Sequence, residues 1–338
     1  MKKVLVTGGS GFIGSHTVVA LVESGYEPII LDTLENSDPL ILEGISKIIG
    51  FAPKFYQIDC RDKTALWSVF QQEQPEAVIH FAAYKAVGES VSEPLKYYSN
   101  NIVSLIHLLE VMDRFECRKL VFSSSCTVYG QPDTLPVRET SDAHNAASPY
   151  GYTKVVCEQL IRDLAKAGCP LQSAILRYFN PVGAHPSAHI GELPIGVPNN
   201  LIPYITQTAA GIRPKLIVHG SDYDTPDGSG VRDFIHVVDL AEAHVAALRW
   251  LESTALSADD FNLGQGKGDS VLEVVNAFIR VTGVSLPFEI GPRRQGDIEQ
   301  IFADVSKAKR ELGWQTKLTI EDALKDAWRW QLRLAERS

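Results

Sequence analysis

The sequence predicts an α/β protein built on a doubly wound parallel sheet, with a smaller mixed α/β lobe in the second half of the chain. Short apolar runs alternate with helical stretches up to about residue 180, and the first run leads directly into a glycine-rich turn and a helix. Beyond residue 180 the composition changes, because prolines and glycines crowd residues 181–203. Alternating strands and helices specify a parallel sheet with right-handed crossovers.

Each predicted strand of the large sheet is a short run rich in β-branched and apolar residues, typical of strands buried on both faces. In chain order the runs are Lys3–Thr7, Pro28–Leu31, Lys54–Asp59, Ala77–Ala83, Lys119–Phe122 and Ser173–Tyr178. A short run at 261–263, after a periodic helix at 239–250, is expected to return to the same sheet. The predicted larger domain is therefore 1–180 with 237–264, the smaller lobe is 181–236 with 265–338, the link lies at Phe179-Asn180-Pro181, and 195–200 is loop.

Composition and charge exclude several classes of protein. The 338 residues are 45% apolar and 22% charged, as in ordinary globular proteins, and the net charge of −9 argues against nucleic acid as a partner. The cysteines contain no Cys-x-x-Cys pair, so neither a disulfide framework nor a metal site is expected. No signal peptide or membrane-spanning run is recognisable, and we expect a cytoplasmic protein without a membrane partner.

The N-terminal strand, glycine turn and helix form the context of a dinucleotide-binding fingerprint. Gly8, Gly11 and Gly14 follow the first strand with the spacing Gly-x-x-Gly-x-x-Gly. Such glycines permit a tight turn, backbone approach to a pyrophosphate and close packing of helix on strand. Asp32 follows the second strand, where a carboxylate accepts from ribose hydroxyls and repels a 2′-phosphate, which favours NAD over NADP. The alternative is a glycine turn without a ligand.

A second candidate site begins at Ser148-Pro149, a capping serine followed by a residue suited to the first helical position. Tyr150 and Lys154 are four residues apart, on the same face of this helix. A nearby ammonium would lower the pKa of the phenol toward neutrality and make Tyr150 a general base. Ser125 follows the fifth strand, at the strand ends where ligands bind in open parallel sheets. The alternative is an exposed helix in which Tyr and Lys recur by chance.

Two further features concern partners. The helix predicted at Leu95–Phe115 is apolar around more than one face, so we expect a homodimer through the helices at 95–115 and 150–167. Arg232 and Arg294 have guanidinium groups that match phosphate oxygens. They either clamp a nucleotide diphosphate or pair with local acids such as Asp233 and Asp297.

The motifs together resemble UDP-glucose 4-epimerase (UDP-galactose 4-epimerase), of the extended short-chain dehydrogenase/reductase (Rossmann-type) class. The likeness runs from Val4 to about Trp328. It rests on Val6–Thr17, Ala86–Ser90, Ser123–Gly130, Ser148–Gly151, Arg177–Pro186 and Gly230–Val237. The last two segments are close to diagnostic of the epimerase.

The resemblance implies a tightly held NAD and the interconversion of UDP-glucose and UDP-galactose in galactose metabolism. Tyr150 would be the base, Lys154 would hold the nicotinamide ribose, and Ser125 would relay the proton of the 4-hydroxyl. Residues implied to contact NAD are Gly8, Gly11, Phe12, Ile13, Gly14, Asp32, Thr33, Asn36, Ser37, Asp59, Cys60, Phe81, Ala82, Lys85, Asn100, Ser125, Tyr150, Lys154, Tyr178 and Phe179. Residues implied to contact the UDP-sugar are Lys85, Ser125, Tyr150, Asn180, Asn199, Asn200, Leu201, Val218, His219, Arg232, Phe234, Arg294, Asp297 and Ile301.

The implied mechanism oxidises C4 of the hexose, rotates the flat 4-ketose and returns hydride to its opposite face. The chain departs from the family at Thr33, often Asn, at Val218-His219, where larger residues are common against the uracil, and at Ile301. At the last position a tyrosine fills the space of an N-acetyl group, so isoleucine should leave that space partly open.

Other activities of this fold need residues that the chain lacks. A nucleotide-sugar 4,6-dehydratase needs an extra acid after the serine, and a UDP-glucuronate decarboxylase also has an acid there. Here Cys126 and Thr127 follow Ser125. A non-catalytic NAD-sensing protein has no need of the Ser, Tyr and Lys together.

Overall fold

A seven-stranded parallel sheet forms the centre of the larger part of the molecule in the computed structural model, which describes residues 1–294 and 297–336. The strand order is β11-β6-β5-β4-β1-β2-β3. The strands are β1 Lys3–Thr7, β2 Glu27–Asp32, β3 Lys54–Gln57, β4 Ala77–His80, β5 Lys119–Ser123, β6 Gln172–Tyr178 and β11 Ala258–Leu263. The predicted doubly wound sheet is confirmed, and the run predicted at 261–263 is the end of its edge strand.

The strand order reverses at the centre of this sheet, because β1 pairs with β2 on one side and with β4 on the other. The loops that follow β1 and β4 therefore diverge from neighbouring strand ends and leave a crevice between them. Ligands of open α/β sheets bind at such a switch point. The glycine-rich turn lies in one of these two loops.

Helices cover both faces of the sheet. In chain order they are α1 Phe12–Glu23, α2 Pro39–Ile49, α3 Lys63–Glu73, α4 Val87–Ser92, α5 Pro94–Arg114, α6 Pro149–Lys166, α7 Leu201–Ala209, α8 Val237–Ser253, α9 Val271–Thr282 and α10 Ile320–Ala335. One apolar core lies under α1, α2 and α8, and the other lies under α3, α5 and α6. None of the helices in the described ranges is both long and apolar enough to span a bilayer.

The second half of the chain adds three small sheets and a third core. The strands are β7 Asn180–Val182 with β10 Phe234–His236, β9 Val231–Arg232 between β12 Asp269–Ser270 and β14 Gln300–Ile301, and β8 Leu216–His219 with β13 Phe288–Gly291. Residues of α7, α9 and α10 pack together in the core beside them.

The predicted link at Phe179-Asn180-Pro181 stays a prediction, and it falls at the start of a short strand. Asn180 begins β7, which pairs with β10. A strand of three residues is too short to show an alternating pattern in sequence, and Pro181 is tolerated because this two-stranded sheet has open edges.

Candidate active site

The glycine loop between β1 and α1 is so tightly packed that side chains are excluded. Gly8 has φ +71°, and a Cβ there would lie 2.8 Å from the amide nitrogen of Ala82, at the end of β4. A Cβ on Gly14 would lie 2.2 Å from the carbonyl oxygen of Gly8. Gly11 precedes the first turn of α1, and no side chain of the described residues caps that turn. The amides of this turn are thus available to an anionic group, as a dinucleotide pyrophosphate requires.

Asp32 ends β2 beside this loop. Its carboxylate accepts hydrogen bonds from Ser10 N at 3.1 Å, Leu34 N at 3.0 Å and Ser37 Oγ at 3.3 Å. Thr33 and Asn36 follow it in the chain, and both residues are exposed. The glycine cradle and this oriented carboxylate together fit the adenosine half of NAD.

The other residues predicted to contact NAD lie along the carboxyl ends of the strands or on α5. Asp59 receives a bidentate ion pair from Arg61, with a shortest distance of 2.6 Å. The rings of Phe81 and Tyr178 both lie beside the buried His244, with centroid distances of 4.6 and 6.1 Å. Cys60 is buried, Ala82 follows Phe81, Phe179 is buried after β6, and Asn100 lies on α5.

Tyr150 and Lys154 lie in the first turns of α6, which begins as predicted. Ser148 Oγ accepts from Gly151 N at 3.2 Å, and Pro149 occupies the first helical position. Tyr150 is 8% exposed and Lys154 is 4% exposed, so the alternative of an exposed helix is wrong. The Ser125 hydroxyl lies close enough to the phenol of Tyr150 to oppose the rise in its pKa, and Ser125 caps a short 3-10 helix, Cys126–Tyr129. The three predicted catalytic side chains are therefore brought together.

The protein alone does not lower the pKa of Tyr150, so that expectation is wrong. Burial raises the pKa of Tyr150 above its ordinary value, the Tyr178 phenol acts in the same direction, and the nearby Ser125 hydroxyl opposes them. Lys154 Nζ donates instead to the carbonyl oxygen of Ser123 at 2.7 Å. Burial lowers the pKa of Lys154 to about 8. Burial outweighs the predicted pair attraction, because the ammonium is bonded to a carbonyl oxygen rather than to the phenol.

The two candidate phosphate-binding arginines differ in their surroundings. Arg232 is partly buried, and its Nη1 donates to the carbonyl oxygens of Val231 at 2.8 Å and Glu299 at 3.4 Å. Within residues 1–294 and 297–336, no carboxylate forms an ion pair with it, and burial lowers its pKa. Asp233 accepts instead from three backbone amides. Arg294 is exposed and pairs with Asp297 at 2.7 Å.

A small cavity lies beside β7 and the start of α7. It brings together four residues predicted to contact the UDP-sugar: Asn180, Asn200, Leu201 and Phe234. Glu192 also lines this cavity, and its carboxylate accepts from Asn200 Nδ2 at 2.6 Å and pairs with Lys85 Nζ at 3.4 Å. Glu192 was missed because a lone acid in a glycine- and proline-rich stretch carries no spacing signal. Asn199 is exposed next to Asn200.

Val218 and His219, both predicted to contact the UDP-sugar, lie side by side in β8. They are consecutive in β8, so their side chains lie on opposite faces. Val218 is buried in the core of the small lobe, whereas His219 is exposed and bonds the carbonyl oxygen of Pro292 at 3.2 Å.

Most of the chain is similar to proteins of one known family. The model of the NAD dependent epimerase/dehydratase family matches residues 4–264. The UDP-glucose 4-epimerase of Bacillus subtilis is 54% identical over 329 residues, which cover 97% of this chain and 96% of the relative. The chain belongs to the NAD-dependent epimerase/dehydratase family.

Solved structures within the family agree with this assignment. A UDP-glucose 4-epimerase from Stenotrophomonas maltophila, with bound NAD and formylated UDP-arabinopyranose, is 51% identical with a TM-score of 0.97 over 100% of both chains. One from Bifidobacterium longum, in complex with NAD+ and UDP, is 46% identical with a TM-score of 0.94 over 98% of both chains. The resemblance to UDP-glucose 4-epimerase that the motifs predicted is confirmed.

For this member of the family, Ile301 lies near the predicted catalytic groups. In β14 it pairs in register with Arg232. Its buried side chain belongs to an apolar cluster that contains Cys126 and Phe179. The position after Ser125 thus contributes a buried thiol to this cluster and no acid, as the sequence indicated.

Proposed function

We propose that this protein interconverts UDP-glucose and UDP-galactose by transient oxidation at C4, with NAD retained throughout turnover. The observation that carries the proposal is the burial of Ser125, Tyr150 and Lys154 together at the carboxyl end of β5. The names of the relatives, which are epimerases of UDP-glucose, support the choice of substrate.

The residues that would hold NAD form two groups. The loop from Gly8 to Gly14 and the first turn of α1 would bind the pyrophosphate, and Asp32 would accept from the adenosine ribose. Lys154 would hold the nicotinamide ribose by donating to a ribose hydroxyl in place of the Ser123 carbonyl oxygen. When bound, NAD supplies a positively charged ring that accepts hydride from C4 and favours the ionised form of a nearby phenol.

Proton transfer falls to Tyr150 and Ser125. The Oη atom of Tyr150 would remove the proton of the 4-hydroxyl, and Ser125 would donate to or accept from the same sugar oxygen. Because burial alone raises the pKa of Tyr150, its phenolate form depends on positive charge brought beside it. Tyr150 would then return the proton to the 4-oxygen after hydride returns to C4, so each turnover leaves the base in its starting state.

The uridine diphosphate would be held by the small lobe while the hexose turns. Arg232 offers a guanidinium that forms no ion pair in the described part of the chain, and Arg294 and Asp297 lie between β13 and β14. Asn180 and Asn200 offer amide groups in the cavity beside β7. A fixed diphosphate and a mobile hexose allow either face of the flat ketose to meet the same cofactor.

One assay tests this proposal. The purified protein, given UDP-galactose and no added NAD, should produce UDP-glucose, identified by chromatography against both standards. A 4-keto-6-deoxy product would indicate a dehydratase instead. Binding of NAD without conversion of either UDP-sugar would indicate a non-catalytic binding protein, and either result refutes the epimerase.

The assembly and location are also proposals. A homodimer through α5 and α6, the helices predicted at 95–115 and 150–167, is supported by the exposed side chains of Leu95, Ile106 and Tyr152. The division into a NAD-binding domain of 1–180 with 237–264 and a UDP-sugar-binding lobe of 181–236 with 265–338 is supported by the separate core of α7, α9 and α10; residues 337–338, at the end of that lobe, lie outside the described residues. A cytoplasmic location is supported by five free thiols.

A further inference from the structure

A buried polar cluster lies behind the predicted catalytic residues, and the proposed mechanism does not use it. The carboxylate of Glu158 accepts from Ser124 Oγ at 2.6 Å and from Arg177 Nε and Nη2 at 2.9 and 2.6 Å. Ser124, Glu158 and Arg177 are each less than 5% exposed. Arg177 also pairs with Asp260 at 2.8 Å.

Each member of this cluster lies next to a residue of the predicted active site in the chain, or one helical turn from it. Ser124 lies between Ser123, whose carbonyl accepts from Lys154, and Ser125. Glu158 is one helical turn beyond Lys154 on α6. Arg177 precedes Tyr178, whose hydroxyl bonds Ser123 Oγ at 2.5 Å. The cluster therefore joins the end of β5, the start of α6 and the end of β6.

We propose that Glu158 is a positioning residue for the reaction, and that its bond to Ser124 fixes Ser125 relative to Tyr150 and Lys154. The inference rests on the proposed epimerase activity. Among the described side chains that bond the carboxylate of Glu158, Ser124 alone belongs to the segment that carries Ser125. A misplacement of about 1 Å between reacting groups can cost on the order of a hundredfold in rate.

The hydroxyl of Ser124 is not needed to satisfy the buried charge or the backbone. Arg177 and Arg162 each pair with both Glu158 and Asp260, so two guanidinium groups already balance the two carboxylates. The backbone N–H of Ser124 donates to the carbonyl oxygen of Leu176 at 2.8 Å, which keeps the end of β5 attached to β6. Removing the hydroxyl should therefore leave the fold intact and loosen only the placement of the segment that follows.

The test uses the NAD-containing enzyme with Ser124→Ala, and Ser173→Ala as matched control. Ser173 is a buried serine on β6 whose Oγ bonds nothing in the described ranges. We expect Ser124→Ala to lower kcat by on the order of tenfold per NAD-loaded molecule, with KM for UDP-galactose and Tm nearly unchanged. Ser173→Ala should keep the wild-type kcat.

Ser124→Cys supplies a second variant with similar volume and a weaker donor, and its kcat should lie between those of wild type and Ser124→Ala. It also replaces Ser124→Ala in the test should the alanine variant not fold. A kcat within twofold of wild type for the variant measured would overturn the proposal. The proposal would also be overturned if the loss of activity were fully accounted for by a smaller amount of folded, NAD-loaded protein. An inactive wild type would instead refute the epimerase itself, so the two failures are distinguishable.

Discussion

Replacing Arg232 with alanine should weaken UDP binding while barely changing the stability of the protein. The guanidinium lies in a partly buried place, where it bonds two backbone carbonyls and no carboxylate of the described chain. Loss of a charge-assisted bond to a phosphate costs about 1.5–3 kcal/mol, so the Kd for UDP should rise roughly ten- to a hundredfold. Loss of the bond to Val231 costs about 0.5–1.5 kcal/mol of unfolding free energy, and relief of the desolvated charge offsets it.

Isothermal titration of UDP into the NAD-containing enzyme, with urea unfolding of the same samples, measures both effects. Arg280→Ala is the matched control, because Arg280 is exposed on α9 and pairs with Glu321 at 2.6 Å. The control should bind UDP as wild type does. A Kd for Arg232→Ala within threefold of wild type would refute the reasoning. A large loss of stability would show that Arg232 serves the fold through Val231 and Glu299.

Three other changes have distinct expected results. Tyr150→Phe should retain NAD and UDP binding while kcat falls by about 10²–10⁴, and a near-normal kcat would show that another group is the base. Ile301→Ser should raise the weak turnover of UDP-N-acetylglucosamine that we expect of wild type, whereas Ile301→Tyr should abolish it and spare UDP-galactose; equal turnover in all three proteins would contradict this. Three buried histidines have lowered pKa values, of about 3, 3 and 4: His16, His80 and His244. The unfolded chain therefore binds more protons below pH 6.5, and stability should fall as pH drops, by about 1.4 kcal/mol per histidine at pH 5.5. Burial raises the pKa of Asp233 to about 6, which offsets about 1 kcal/mol of this loss. Urea unfolding at pH 7 and pH 5.5 measures the difference, and equal stabilities would contradict the expectation.

The large sheet could be predicted because its signals are local. Each strand is a short apolar run and β1 leads into a glycine turn, so the pattern alone gives the parallel sheet. The small sheets were missed because β9, β12 and β14 have only two residues each. Strands that short exist through pairing across more than thirty residues of chain, and their own sequence shows no period.

The predicted site differs from the structure mainly where the burial of a side chain sets its pKa or its neighbours. Tyr150 and Lys154 were placed correctly on one helical face, yet the spacing could not show that both are nearly inaccessible. Burial then reversed the expected direction of the Tyr150 pKa. Similarly, alternation in β8 directs Val218 into a core that only the packing of α7 and α9 creates.

The buried charges divide into those that the fold satisfies and those that it leaves for a ligand. Arg162 and Arg177 balance Glu158 and Asp260, and Asp233 accepts from three backbone amides. Within the described part of the chain, the hydrogen-bond acceptors of Arg232 are carbonyl oxygens, and Lys154 contacts one carbonyl oxygen and the face of the Phe122 ring. Carbonyl oxygens bear no net charge, so both cations keep much of the cost of their desolvation. An anionic diphosphate at Arg232 would remove that cost, as the proposed binding of a UDP-sugar by a chain of net charge −9 requires.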